Sequence, residues 1–86
     1  MVTITHGGRR HNLGGHCTWI SDETDAADAV LDFLPTQAFE AGDEAVLDFL
    51  GTKYTFQLGM SAGCRSLKLT HIQARGGPRR LASFVG

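Results

Sequence analysis

Twelve residues near the N-terminus, HGGRRHNLGGHC at positions 6–17, gather most of the side chains in this chain that could do chemistry. Histidines stand at positions 6, 11 and 16 and a cysteine at 17, while Cys64 and His71 lie further on. Zinc would need four ligands from that set, and structural zinc sites use paired ligands roughly two to five residues apart. No Cys-x-x-Cys occurs, and an interval of five matches neither the helix nor the strand period, so no metal is expected. A cysteine nucleophile needs a base within hydrogen-bond reach. His16 adjoins Cys17, but neighbours in extended chain point to opposite faces. Cys17 alternates with Trp19, which reads as a pair of core residues. No enzyme activity and no cofactor are expected.

Anion binding has more behind it. Gly7-Gly8-Arg9-Arg10 and Gly76-Gly77-Pro78-Arg79-Arg80 are similar units, each a glycine pair followed by two arginines. Glycines let backbone N–H groups approach an oxyanion, and arginine forks suit phosphate or carboxylate. Neither unit is a Walker loop or a dinucleotide fingerprint. A nucleic-acid surface would interleave exposed aromatics with the basic residues. Here Tyr54 and Phe56 fall on an apolar face instead. Binding of nucleic acid or another phosphate ligand through Arg9, Arg10, Arg79 and Arg80 is therefore the second reading.

The first reading comes from how the charges are sorted. Net charge is only −1, yet all nine carboxylates lie between positions 22 and 48, and all eight arginines and lysines lie outside that window. A fold that keeps these stretches apart makes a molecule with acidic and basic surfaces, suited to acidic partners or to copies of itself. Arg9, Arg10, Arg79 and Arg80 would then meet carboxylates such as Asp25, Asp28 and Asp32 on a neighbouring subunit. Such contacts set register and salt sensitivity more than affinity.

The remaining bulk properties bound the answer. At 86 residues the chain is one small domain, 1–86, with residues 6–16 expected as a Gly/Arg/His-rich arm or loop. A domain of this size has a thin core and often leans on an oligomer for stability. Apolar content of 42% and charged content of 20% are those of a globular protein. No apolar run approaches a membrane span, and the N-terminal residues do not read as a signal peptide. Cys17 and Cys64 are expected as reduced thiols of a cytoplasmic product, with a single bridge as the alternative.

The elements that must position these residues are legible in part. The hexapeptide AVLDFL occurs at 29–34 and again at 45–50, in two different settings. The first copy follows an acidic run that Ser21 could cap, and it ends at Pro35. Ala27, Val30, Leu31 and Leu34 share one face at helical spacing, and Asp25, Asp28 and Asp32 another, which predicts an amphipathic helix over about 22–34. The second copy leads into Gly51-Thr52 and a second alternating run. A two-residue turn at Gly51-Thr52 pairs Leu50 with Lys53 and Phe49 with Tyr54. One face then carries Ala45, Leu47, Phe49, Tyr54, Phe56 and Leu58, and a one-residue slip would destroy it. Further strands are expected at Val2–Thr5, Cys17–Ile20, Leu67–Ile72 and Leu81–Val85. The fold class is mainly β (α+β): a small antiparallel barrel or sandwich of five or six strands with one helix packed on it.

Residues 17–60 resemble a type of small tailed-bacteriophage virion protein. The likeness rests on the aromatic-bearing stretch Cys17-Thr18-Trp19-Ile20, the Ser21-Asp22 start of an alanine-rich helix, and Ala41-Gly42-Asp43 leading into an apolar strand. Pro35-Thr36-Gln37-Ala38-Phe39 departs from it, as do the paired arginines. The resemblance implies a non-enzymatic head decoration, cement or fibre-like subunit. It would be made in the host cytoplasm, built into the virion and partnered by capsid or other virion proteins and by copies of itself.

Overall fold

A computed structural model describes residues 2–15, 19–73 and 83–85, the last three by their backbone. The expectations for Cys17, Thr18, Arg79, Arg80, Leu81 and the 76–78 turn fall outside the described residues. The described residues form six strands: β1 (Val2–His6), β2 (Arg9–Asn12), β3 (Glu44–Phe49), β4 (Thr52–Ser61), β5 (Cys64–Gln73) and β6 (Ser83–Val85). One helix, α1 (Glu23–Phe33), stands between β2 and β3, followed by a short 3-10 turn at Thr36–Ala38. All strands join one antiparallel sheet in the order β2-β1-β3-β4-β5-β6. The protein is thus mainly β with one helix, and that helix supplies the second layer over the sheet's apolar face.

Three hairpins build this sheet with one device. The loops Gly7-Gly8, Leu50-Gly51 and Ala62-Gly63 each hold two residues, and both have positive φ. That is the type I′ turn, whose twist matches the strands it joins. The central turn therefore lies at Leu50-Gly51, one residue before the expected Gly51-Thr52. Phe49 pairs with Thr52, Leu47 with Tyr54 and Ala45 with Phe56. The ladder has moved by two residues, a full side-chain period, so the expected apolar face survives intact. All six of its residues are buried.

Between β4 and β5 a bulge at Thr70 changes the parity of β5. Phe56 pairs with Leu69 and Thr55 with His71, leaving Thr70 extra, its hydroxyl donating to the Thr55 carbonyl at 3.2 Å. Leu67 and Leu69 are odd-numbered and Ile72 even, yet all three are buried. Without the extra residue His71 would face the core.

The helix starts one residue later than Ser21 would set it. Asp22 is the N-cap, its carboxylate accepting from the Asp25 N–H at 3.0 Å. Leu34 caps the far end through its N–H to the Val30 carbonyl at 3.0 Å, and Pro35 follows in extended conformation. Ala26, Ala27, Val30 and Leu34 are buried against the sheet, and Leu31 is only half-buried. Arg65 braces the helix end: its Nη1 donates to the Leu31 carbonyl at 2.6 Å, and its guanidinium lies 5.8 Å from the Phe39 ring centroid. A cation there meets carbonyls that helix geometry leaves without partners.

Two expectations are corrected. Residues 9–12 are not an arm: they pair with β1 as the edge strand β2. Trp19 and Ile20 belong to no strand, because β1 is already paired with β2 on one side and β3 on the other. Ile20 is buried, but Trp19 is 65% exposed and is no core residue.

Candidate functional site: an acid-rimmed groove beside an arginine-bearing edge

The groove runs along α1 and encloses about 660 Å³. Its apolar wall is Leu13, Ala29 and Phe33, with Trp19 at one end; Asp25, Asp28 and Asp32 line it as well. Three separate constraints place these groups. Leu13 continues the β1 pairing, its N–H donating to the Val2 carbonyl at 2.7 Å, which holds the end of β2 against the sheet. Trp19 sits edge-on to Phe49, 5.2 Å between ring centroids, and so stands over the β3 end of the sheet. The aspartates at 25, 28 and 32 are spaced three and four apart, the intervals that stack on one side of a helix.

Asp25 differs from the other two acids. Its carboxylate accepts from both the hydroxyl and the backbone N–H of Ser21, the latter at 3.0 Å. Those bonds, the hydroxyl first, hold its carboxyl below the usual carboxylate range against a small opposing effect of burial. Asp28 and Asp32 are exposed, and neither forms an ion pair with a described residue.

The arginines expected to act with these acids lie on the adjacent edge. Arg9 and Arg10 are exposed on β2, and neither forms an ion pair with a described residue. His11, between them and Leu13, packs its ring on Phe33 at 5.2 Å, which fixes the edge strand beside the groove. Of the seven residues picked out from the sequence, Asp25, Asp28 and Asp32 line the groove and Arg9 shares the face of β2 that carries His11 and Leu13, whereas Arg10 alternates to the other face of the sheet. Arg79 and Arg80 lie outside the described residues.

Among the described residues no three His, Cys, Asp or Glu side chains converge as metal ligands would. His6 sits 3.8 Å from Asp43 across the start of β3, and Cys64 is a free, exposed thiol beside the third hairpin turn. Among the described residues no helix is long and apolar enough to cross a membrane.

Sequence reasoning missed three apolar members of the surface. Trp19 looked like half of a strand, Phe33 fell between the two assigned helix faces, and Leu50 looked like a ladder residue. Leu50 is instead 68% exposed at the tip of the central hairpin, with φ of 51°. The leucine-glycine dipeptide at 50–51, read as a two-residue turn, would have exposed it.

These features define a small mainly-β domain with one acid-rimmed groove and one basic sheet edge. Comparison with protein-family models, curated proteins and solved structures finds no match.

Proposed function

We propose that the protein is a non-enzymatic assembly subunit that binds neighbouring protein subunits through arginine–carboxylate contacts. The observation that carries this reading is the set of unmet charges: Arg9 and Arg10 on the edge strand, Asp28 and Asp32 on the helix. A small domain gains little from exposed charges that find no partner among its described residues, whereas a neighbour's complementary surface would use both signs. The resemblance over residues 17–60 adds the setting, a tailed-phage virion in which the subunit acts as a capsid decoration or cement-type accessory.

Light scattering after size exclusion, at low and high salt with nucleic-acid absorbance recorded, tests the reading. A protein-only oligomer at about 0.05 M salt that dissociates near 0.5 M is expected, since the screening length shrinks about threefold over that range. A monomer free of nucleic acid would move the partner from a second copy to a preformed surface of other subunits. Retained nucleic acid, lost on changing Arg79 and Arg80, would overturn the assembly reading in favour of a phosphate-binding module.

A further inference from the structure

We propose that the partner is a second copy of this chain, paired edge to edge through β2, so that each copy's Arg9 enters the other's acid-rimmed groove. The proposal rests on the assembly reading and says which surfaces meet and in what register.

β2 ends the sheet, so one side of its backbone is unused by β1. Alternation shows which groups face outward. The Leu13 N–H points to Val2 in β1, so residues 9, 11 and 13 turn their backbone groups inward. Arg10 and Asn12 therefore turn theirs to the open side. An added antiparallel strand would bond to those two residues.

Three in-phase registers are open to a second β2; the one centred on Asn12 overlaps the two strands at that residue alone, which leaves two. One centres on Arg10 and sets the two Arg10 side chains directly opposite, which like charge disfavours. The other centres on His11, pairing each Arg10 with the second copy's Asn12 and each Arg9 with the second copy's Leu13. This second register opposes no arginine to another and sets His11 against the second copy's His11. It also aims Arg9 where it is wanted, because Leu13 is a wall of the groove that Asp25, Asp28 and Asp32 line.

Arginines on a short edge strand ordinarily guard it against pairing. Here three carboxylates line the groove on the helix side of that edge, and neither Arg9 nor Arg10 pairs with a carboxylate of a described residue. A two-fold axis through the edge brings each copy's Arg9 to the other's carboxylates at once, since the same surface is used on each copy. Trp19, two-thirds exposed at the end of the groove, supplies the large aromatic contact that interface centres favour.

A charge-swap experiment tests this on the full chain, by light scattering and sedimentation at low salt. The wild type is expected to be a dimer. R9D/R10D and D28R/D32R are each expected to lose association by about tenfold or more, because like charges then face each other. An equimolar mixture of the two variants is expected to recover it as a mixed dimer, since each edge now meets a groove of opposite sign. Circular dichroism melts of both variants check that they fold.

A wild-type monomer, a dimer unaffected by either variant, or a mixture that stays monomeric would each overturn the edge pairing. The assembly reading has a separate fate. It survives a wild-type monomer that binds other subunits, and it survives an oligomer formed through a different surface. It falls with retention of nucleic acid through Arg79 and Arg80.

Discussion

Leu50 carries a conformational cost that a different residue would not. A leucine at positive φ in a type I′ turn has its Cβ crowded against the following carbonyl, and such strain costs on the order of 1 kcal/mol or more. Leu50→Asn is expected to raise stability by about 1 kcal/mol, read as a melting temperature roughly 4–8 °C higher for a domain this size. An unchanged or lower melting temperature would show that Leu50 makes a stabilising contact in the chain. At the other end of the molecule Arg65 is expected to matter more than its half-exposed position implies. Arg65→Ala removes both the bond to the Leu31 carbonyl and the stacking on Phe39, and should cost about 1–3 kcal/mol by chemical denaturation. Arg65→Lys should recover part of that loss, because it keeps the charge but not the planar fork.

Asp25 belongs to the same scale. Its carboxyl titrates lower in the folded chain than in the unfolded one, because Ser21 donates to it. Stability from this group is therefore fully present above the ordinary aspartate value of about 4 and is lost as pH falls from there through the lower folded value. Ser21→Ala is expected to flatten the acid limb of a stability-against-pH curve below about pH 4, with little change near neutrality in the slope of that curve. Ser21 ahead of an acidic run made a helix start legible in the sequence. Which oxygen capped which N–H was not, since serine and aspartate are near equals as caps and geometry alone separates them.

At the scale of elements, the bulge in β5 makes a sharp contrast. Deleting Thr70 joins β4 and β5 in one continuous register while leaving Leu67, Leu69 and Ile72 on the core side. That variant is expected to fold, with a cooperative melt. Deleting Lys68 instead puts Leu67 and Leu69 on opposite faces and is expected to abolish the cooperative transition. The reverse outcome would mean that the described register is wrong. The apolar faces of β3 and β4 were legible because a period-2 pattern names its face whatever the exact turn. The turn itself was misplaced by one residue, which moved the pairing by two and so left the face unharmed. Arg9–Asn12 was illegible as a strand because RRHN carries no alternation; it is held by the Gly7-Gly8 turn and by the partner that β1 supplies.

For the whole molecule, sorted charge is the property with the widest consequence. The acidic middle of the chain forms the helix and its groove, and the basic residues at 9 and 10 form the neighbouring edge. Arg9, Arg10, Asp28 and Asp32 form no ion pair with a described residue, so R9D/R10D and D28R/D32R should leave the stability of the monomer within about 0.5 kcal/mol of wild type. Association should show up separately. The wild-type melting temperature is expected to climb with protein concentration, as it does when only the folded state binds its partner, and the variants' should not. A wild-type melt independent of concentration would argue against self-association.

Composition and periodicity alone determined a mainly-β fold with an amphipathic helix, that Ala45, Leu47, Phe49, Tyr54, Phe56 and Leu58 share an apolar face, and that charge is divided along the chain. Those are properties of local pattern, and alternation or helical spacing carries them without knowledge of distant residues. Tertiary structure alone decided that residues 9–12 are an edge strand, that Trp19 stands at a groove instead of in the core, and that Arg9 shares the helix side of the sheet with the aspartates. Each of these depends on which strand takes the last free side of β1. That choice is a competition between segments far apart in the chain, and no local signal records its winner.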